Sequence, residues 1–389
     1  MKRIRVLTLL SSALCVAALG FTGCDPCGGG PGTICTWAGT GEAAFNGDGL
    51  DRSATDLYWP VKIRFSPEGQ PVVMDWNNHR VRVLDENGTF RTIIGNENIG
   101  DGPDDQSDLE PPGVDGTRVN LNHPTDLAFL PDGRGVLAAW HNHKIRVWDP
   151  KTGLVYVACG RGAGFAGDGG DAAAALLDQP RSVVVAKNGD LYISDQRNQR
   201  IRRIRADDHV IETVAGDGTK GFAGDDGPPL SAEFSFPGGS NPQPGAGMAI
   251  DEDGRLVIAD TENDRIRQID LVANTIVTIA GNGQKGYSGD GGKATDAALN
   301  HPRDVAIGPD GDVYVADTEN HVIRRIDRQS GIITTVAGTG KAGFDGDGAA
   351  AETASLNRPM GVTFDAEGNL FIADTLNNRI RRIAAWEKP

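Results

Sequence analysis

Short apolar stretches with two-residue alternation recur along this chain, separated by glycine-rich and polar turns. In residues 303–338 the stretches are DVAIGP, DVYVAD, HVIRRID and IITTVAG, and the breaks between them are DG, TEN and RQSG. Alternation bounded by turn residues is typical of half-buried β-strands, and Asp310-Gly311 is a strong hairpin signal. AxxAxL motifs, as in residues 349–356, have room for only one or two helical turns. The segment predicts four antiparallel strands.

This pattern occurs six times, with a repeat of about 57 residues and two insertions. The repeats are anchored by Pro60, Pro124, Pro180, Pro237, Pro302 and Pro359. Radial repetition of four-stranded units is the pattern of a β-propeller, in which each blade buries its faces against its neighbours. The predicted fold class is therefore all-β: a six-bladed β-propeller of four-stranded antiparallel blades.

The two ends of the repeat region predict how the ring closes. The last repeat stops after its third strand, at residues 378–385, whereas TICTWAGTG at residues 33–41 matches the fourth-strand sequence TTVAGTG at residues 334–340. We therefore expect the N-terminal strand to complete the last blade, with the propeller spanning residues 33–389.

The motifs GFxGDGG, LNxP and ADTxNxRIRxI resemble NHL repeats of the bacterial and teneurin-like kind, and the resemblance covers residues 33–389. It implies a six-bladed propeller of the sort used mostly to bind protein, nucleic acid or other ligands. A minority of related propellers are enzymes, including the amidating lyase and lactonase-type hydrolases.

The N-terminus carries a candidate export signal. Lys2, Arg3 and Arg5 precede an apolar stretch at residues 6–19 and the sequence FTGC, which resembles a bacterial lipobox. We predict a lipoprotein-type signal peptide at residues 1–23, lipidation of Cys24 and a flexible tether at residues 24–32. The protein would then lie in the cell envelope, anchored by lipid on the extracytoplasmic side of a bacterial membrane. The alternative is plain secretion, with Cys24 in a disulfide.

The cysteines indicate the redox compartment, and the net charge restricts the classes of partner. If Cys24 carries lipid, Cys27 and Cys35 are close enough in sequence to pair in an oxidising compartment. The formal net charge is −15, and losing the leader would remove three cations. Because nucleic-acid binding depends on Lys and Arg neutralising phosphates, an acidic domain disfavours it. We expect a monomer whose partner is a protein or a glycan and which meets the membrane through its lipid alone.

Residues repeated in every blade are interpreted as structural. The third-strand arginines are expected to form ion pairs or hydrogen bonds, and the Asp that opens each DxxN turn is expected to accept backbone N–H bonds within that turn. Blade two has Ala139 in place of this Asp. The GDG loops suggest either Ca²⁺ or a cap for the short helical turn that follows.

Positions that break the repeat are the candidates for a binding site. In a propeller the residues around each Pro lie where the inner strand enters the central channel, on the same face as the DxxN turns. The predicted channel-mouth residues are Trp59, Lys62, His123, Asp126, Arg181, Phe236, His301, Arg303, Asp304 and Arg358. Solvated side chains next to Pro are the alternative interpretation.

Blade two is unusual in its histidines. His79, His123, His141 and His143 could cluster around Zn²⁺ or another transition metal, although adjacent surface histidines are more often unliganded. A metal-dependent lyase or lactonase-like enzyme is one alternative function. The candidate ligands of a metal on the propeller axis would be His123, Asp126, His301 and Asp304. An extracytoplasmic sensor is another alternative function. A binding or scaffold propeller acting through its loop face is the favoured interpretation.

Both insertions are expected to overhang that face. The first, within residues 96–120, is strongly acidic, and the second, GGSNPQPGA at residues 238–246, follows Pro237. Long loops on a rigid scaffold often carry binding specificity, while an unselected solvated loop is the alternative.

Overall fold

The computed structural model describes residues 27–239 and 243–386. They form six antiparallel sheets arranged as the blades of a propeller, which confirms the predicted fold class. The predicted signal peptide, Cys24 and the start of the predicted tether lie outside the described residues. In the described part of the chain, no helix has the length and apolar character needed to cross a membrane.

Each blade contains four main strands. The innermost strands of blades 1 to 6 are Pro60–Phe65, Pro124–Phe129, Pro180–Val185, Met248–Ile250, Pro302–Ile307 and Gly361–Phe364. The second strands are Pro71–Asp75, Gly135–Ala139, Leu191–Asp195, Leu256–Asp260, Val313–Asp317 and Leu370–Asp374. The third strands are Arg80–Leu84, Lys144–Trp148, Arg200–Ile204, Arg265–Asp270, Val322–Ile326 and Arg379–Ile383.

The outer strands refine the four-strand prediction. Those of blades 1 to 5 are Thr89–Ile94, Leu154–Cys159, Val210–Ala215, Thr275–Ala280 and Ile333–Ala337. In blades 1, 2 and 3 a two-residue fifth strand pairs outside them, at Leu50–Asp51, Val114–Asp115 and Gly170–Asp171.

The ring closes as the sequence predicts. Ile34–Ala38 pairs antiparallel with the third strand of blade 6, so that Ile34 lies opposite Ile383 and Ala38 opposite Ile380. The Thr36 hydroxyl donates to Asp347 over 2.7 Å. The fourth strand of the last blade therefore comes from the N-terminal end of the chain. A disulfide between Cys27 and Cys35, the pair named from the sequence, joins this strand to the segment before it.

Helical structure among the described residues is limited to three-residue 3₁₀ segments. Six of them are the DxxN turns, at Trp76–Asn78, Trp140–Asn142, Gln196–Asn198, Thr261–Asn263, Thr318–Asn320 and Thr375–Asn377. The other five precede inner strands, mostly within the AxxAxL motifs, at Gly116–Arg118, Ala172–Ala174, Pro229–Ser231, Ala294–Asp296 and Ala351–Thr353. Between neighbouring blades lie apolar clusters, one at each of the six blade interfaces.

The repeated charged residues hold each blade's loops together. In blade 3 the fully buried Arg202 contacts the turn residue Asp195 at 3.2 Å and the GDG-loop residue Asp168 at 2.6 Å. The same double pairing occurs in blades 1, 4, 5 and 6. The GDG carboxylate also accepts from a hydroxyl of the outer strand, Thr213 in blade 3. These GDG aspartates are therefore ion-pair partners, and the expectation that they cap the following helical turn is wrong.

The turn aspartates accept a longer-range bond than the sequence suggested. Asp195 Oδ1 accepts the backbone N–H of Asp178, two residues before Pro180, over 2.7 Å, and its Oδ2 accepts from the Asn198 amide over 2.8 Å. The expected backbone donor inside the turn is thus wrong, because the donor belongs to the loop that leads into the same blade's inner strand.

Blade 2 shows how the missing turn carboxylate is replaced. Where Ala139 stands, Asn142 Oδ1 itself accepts the backbone N–H of Asn122 over 3.0 Å. Arg146 pairs instead with Asp101, at 3.1 Å, and with Asp108, both from the acidic insertion. Part of this insertion is therefore structural, a role that neither of the two interpretations from the sequence foresaw.

Candidate functional site

Neighbouring blades are joined on the Pro face, the face that carries the Pro loops and DxxN turns, by one repeated hydrogen bond. The residue after each turn has left-handed backbone geometry, and its side chain accepts the N–H of the residue that precedes Pro in the next blade, over 2.7–3.2 Å. The acceptors are His79, His143, Gln199, Asp264, His321 and Asn378. We call this the inter-blade bond. Two of the predicted metal ligands, His79 and His143, thereby have a structural function.

Four predicted channel-mouth residues lie deeper than expected, in a buried layer across the propeller axis. Lys62, Asp126, Arg181 and Asp304 are almost completely buried. Lys62 Nζ pairs with Asp304 and donates to the Val362 carbonyl over 3.0 Å. Arg64 donates two hydrogen bonds of 2.9 Å to the Asp126 carboxylate. These four residues are buried below the channel mouth because the inner strands of different blades bring opposite charges together there, as with Lys62 of blade 1 and Asp304 of blade 5.

The pKa values in this layer reflect burial and close ion pairing. Burial, reinforced by Arg64, lowers the pKa of Lys62 to about 8. Burial favours the neutral form of Asp126, but Arg64 and Lys62 outweigh it and lower the pKa of this carboxyl to about 2. Asp126 is thus the fixed anion of the layer.

Nearer the Pro face, described residues of the second insertion contact side chains of blades 3 and 5. The buried Arg303 donates to the Pro244 carbonyl over 2.9 Å and contacts Glu319 at 3.4 Å, while Arg358 pairs with the same glutamate. Gln196 donates to the carbonyls of Pro237 and Gln243 over 2.8 and 3.2 Å. Burial, followed by Arg358, lowers the pKa of Arg303 to about 10. Gln243 and Pro244 therefore lie on the Pro face, where the insertion was expected.

Phe236 is not available at the channel mouth. Its side chain is fully buried and stacks on Phe234 with ring centroids 4.9 Å apart. The prediction of a ligand contact at this position is wrong, because the blade 3/4 core takes up the ring. His301, by contrast, is half-buried on blade 5, where it contacts Lys285 and Asn300.

Blades 1 and 2 carry a continuous set of rings on the Pro face, which we call the aromatic ledge: Trp59, Trp76, His123, Trp140 and His141. Trp59 stacks on Trp76 at 5.9 Å, His123 lies 4.2 Å from Trp76, and His141 stacks on Trp140 at 4.0 Å. His123 and His141 share a hydrogen bond between Nδ1 atoms of 2.8 Å. Trp59, His123 and His141 are half-buried and therefore reach the surface.

The tryptophans of the ledge differ from the other blades in a specific way. The position after the turn Asp is Thr in blades 4 to 6, and in blade 5 the Thr318 hydroxyl donates to the Pro359 carbonyl over 2.7 Å. Trp76 and Trp140 occupy this position in blades 1 and 2, where their buried Nε1 atoms have no hydrogen-bond partner. Sequence reasoning missed both residues, although the change from Thr to Trp within the repeat could have revealed them.

His79 and the two ledge histidines, His123 and His141, are neutral near pH 7. Burial, with smaller effects of neighbouring charged groups, lowers the pKa of His79 and His141 to about 4 and that of His123 to about 3. Across residues 27–239 and 243–386, no group of three or more His, Cys, Asp or Glu side chains is gathered as a metal site would require. Zn²⁺ and Ca²⁺ binding stay predictions.

Replacing His79 by Asn is expected to remove part of the acid sensitivity. Asn378 accepts the equivalent inter-blade bond over 3.1 Å, so His79→Asn keeps the bond without the titration. Unfolded His binds a proton near pH 6.5 and folded His79 only near pH 4, so falling pH favours the unfolded wild type between these values. Allowing for partial exposure, wild type should lose about 1–2 kcal/mol more than the variant.

Urea unfolding of both proteins at pH 7 and pH 4.5 measures this difference. The other titrating groups are common to the two proteins. His79 also lowers the pKa of His123 and of His141, so its removal reduces their acid sensitivity and changes the difference in the same direction. Equal losses of stability would show that His79 does not titrate as its burial requires.

A cavity opens on the opposite face, where the strand 1–2 hairpins lie. It has a volume of about 450 Å³ and is lined by the ends of the inner strands. The sequence analysis placed the binding surface only on the Pro face and did not foresee this opening.

Comparisons with known proteins agree with the assignment of a six-bladed propeller. Residues 270–345 match the Teneurin NHL domain and residues 177–204 the NHL repeat. The chain is 30% identical over 270 residues to Protein SUPPRESSOR OF QUENCHING 1, chloroplastic, of Arabidopsis thaliana, covering 67% of this chain and 24% of that protein. It is 26% identical over 355 residues to NHL repeat-containing protein 2 of Bos taurus, covering 84% and 46%. The chain thus spans less than half the length of either relative.

Among solved structures, an auxiliary nutrient binding protein from Bacteroides thetaiotaomicron is similar with a TM-score of 0.63 and 17% identity, over 90% of this chain and 76% of that one. This likeness concerns the fold. The repeat matches and the six-bladed ring together support placing this chain in the NHL-repeat family of β-propellers.

Proposed function

We propose that this protein is a binding propeller of the cell envelope that captures a glycan on the aromatic ledge. The observation that carries the proposal is the presence of Trp76 and Trp140 in blades 1 and 2 at the position that is Thr in blades 4 to 6. Two indole N–H groups there are buried without an acceptor, beside three half-buried rings. Binding sites combine aromatic surface with a few polar groups that fix orientation.

The chemistry of the ledge favours a neutral polar ligand with flat apolar faces. Its imidazoles are uncharged near neutral pH because burial lowers the pKa of His123 and His141. A sugar offers hydroxyls to such rings and a C–H face to Trp59. A peptide segment is the alternative ligand. The net charge of −15 argues against a nucleic acid.

The envelope location is part of the same proposal. The Cys27–Cys35 disulfide suits an oxidising compartment, and the predicted lipidation at Cys24 would anchor the ring by its N-terminal end. The fold likeness to a protein described as nutrient binding is compatible with a capture role.

Trp59→Ala is expected to weaken ligand binding by about tenfold or more, since aromatic anchors dominate such interfaces. An array of glycans and peptides identifies the ligand with wild-type protein, and calorimetric titration then measures the affinity. His301→Ala is the matched control, because His301 precedes Pro302 in blade 5 as Trp59 precedes Pro60 in blade 1. Equal affinities for wild type and Trp59→Ala would contradict the proposal, as would an equal loss in both variants.

A further inference from the structure

Apolar side chains form one part of the lining of the cavity on the hairpin face, which we call its apolar wall, and polar atoms share the rest of the exposed lining. All six inner strands contribute the same position to it, Phe65, Phe129, Val185, Ile250, Ile307 and Phe364. Its volume of about 450 Å³ falls within the range of small-molecule sites. Such a wall favours a hydrocarbon group, because burying apolar surface is the main source of binding free energy there.

The same cavity has one charged lining residue. Of the described residues that line it, Arg64 is the one with a charged side chain, which is 20% exposed. Its Nε and Nη2 bind Asp126, so the guanidinium is held in a fixed orientation. In the other blades the equivalent positions are Ala128, Val184, Ala249, Ala306 and Thr363, whose smaller side chains leave the space that forms the cavity.

The buried charged layer to which Arg64 belongs contains more cations than anions. Lys62, Arg64 and Arg181 face two carboxylates, Asp126 and Asp304. Arg181 approaches these carboxylates only at 3.9 and 3.7 Å, and its Nε and Nη1 have no hydrogen-bond partner. A surplus of one positive charge therefore lies behind the cavity, in a protein whose net charge is −15.

Burial makes this surplus effective at short range. Charges in a poorly solvated environment interact more strongly than charges in water. The lowered pKa of Lys62 has the same origin, since burial and the neighbouring Arg64 both oppose its protonation. An anion at the cavity floor would balance the layer.

We propose that the hairpin-face cavity binds a small amphiphilic monocarboxylate, with its carboxylate at Arg64 and its hydrocarbon tail against the apolar wall. A single negative charge matches the surplus of one. A dianionic phosphate would exceed it and would leave the apolar wall unused. The site lies on the opposite face from the aromatic ledge, so it does not depend on the proposed function.

Calorimetric titration of the purified protein with decanoate tests the site, with decanol and decyltrimethylammonium as probes of equal tail length. We expect decanoate to bind at least tenfold more tightly than either. In Arg64→Gln the preference for decanoate over decanol should vanish, while decanol affinity stays within about twofold of wild type. Absence of decanoate binding, or equal binding of decanoate and decanol to wild type, would overturn the proposal.

A second variant covers the case in which Arg64→Gln fails to fold. Ala249→Phe fills the cavity from blade 4, at the position equivalent to Arg64, without changing a charge. Decanoate and decanol should both lose binding in this variant. Decanoate binding that survives the filling would place the ligand elsewhere and refute the site.

Discussion

Deletion of residues 33–39 is expected to unfold the entire ring rather than fray one end. The deleted strand contributes Ile34, Trp37 and Ala38, which are buried against blades 5, 6 and 1. Trp37 packs edge-on against Phe371 at 5.3 Å. Loss of these side chains costs about 5 kcal/mol, comparable to the whole stability of many domains, and leaves the third strand of blade 6 as an open edge.

Circular dichroism during urea unfolding measures this effect. The control is the double variant Cys27→Ala, Cys35→Ala, which removes the disulfide but leaves the strand paired; it should stay folded with a lower midpoint. If the deleted protein keeps a native spectrum and a cooperative transition near the wild-type midpoint, ring closure by the N-terminal strand is not needed for stability.

Arg202→Ala should lower the free energy of unfolding by about 3–5 kcal/mol, because it leaves the buried Asp195 without its cation. The matched control is Arg203→Ala on the same strand. Arg203 pairs with Glu212 at the surface, where both side chains are about one-third exposed, so its loss should cost less than about 1 kcal/mol. Urea unfolding of the two variants under identical conditions gives the comparison.

Similar losses in the two variants would mean that the double pairing of the third-strand arginine is not what holds the loops of a blade. Blade 2 supports the expected large difference in stability between the two variants. There the turn carboxylate is gone, yet Arg146 still has two carboxylate partners, Asp101 and Asp108. The chain keeps the buried guanidinium paired even when the partners come from another loop.

The fold was predictable because the same pattern of strands and turns occurs six times, so each repeat supports the assignment of the others. Ring closure followed from the missing fourth strand of the last repeat and its match at residues 33–41. The partners of the repeated Asp and Arg residues could not be predicted from the sequence in the same way, because they depend on which loop folds back over the blade. Asp101 and Asp108 looked like a solvated acidic loop until the structure placed them on Arg146.

The candidate site was only partly predictable. Position next to Pro selected Trp59 and His123, which are half-buried on the Pro face, but the same rule selected Phe236, which the core buries. It also selected Lys62 and Asp304, which pair across the axis from blades 1 and 5. Contacts between distant blades cannot be seen within one repeat. The hairpin-face cavity has the same origin, because it arises from five small side chains that surround Arg64.

Hydrogen–deuterium exchange with and without the glycan identified on the array tests the central claim most directly. If the aromatic ledge is the binding surface, ligand should slow exchange in the loops of blades 1 and 2 on the Pro face, at residues 57–59, 76–79 and 139–143. Exchange at the blade 5 loop, residues 300–303, should not change. Protection confined to blade 5, or to the hairpin face at residues 64–67, would contradict the assignment of the ledge.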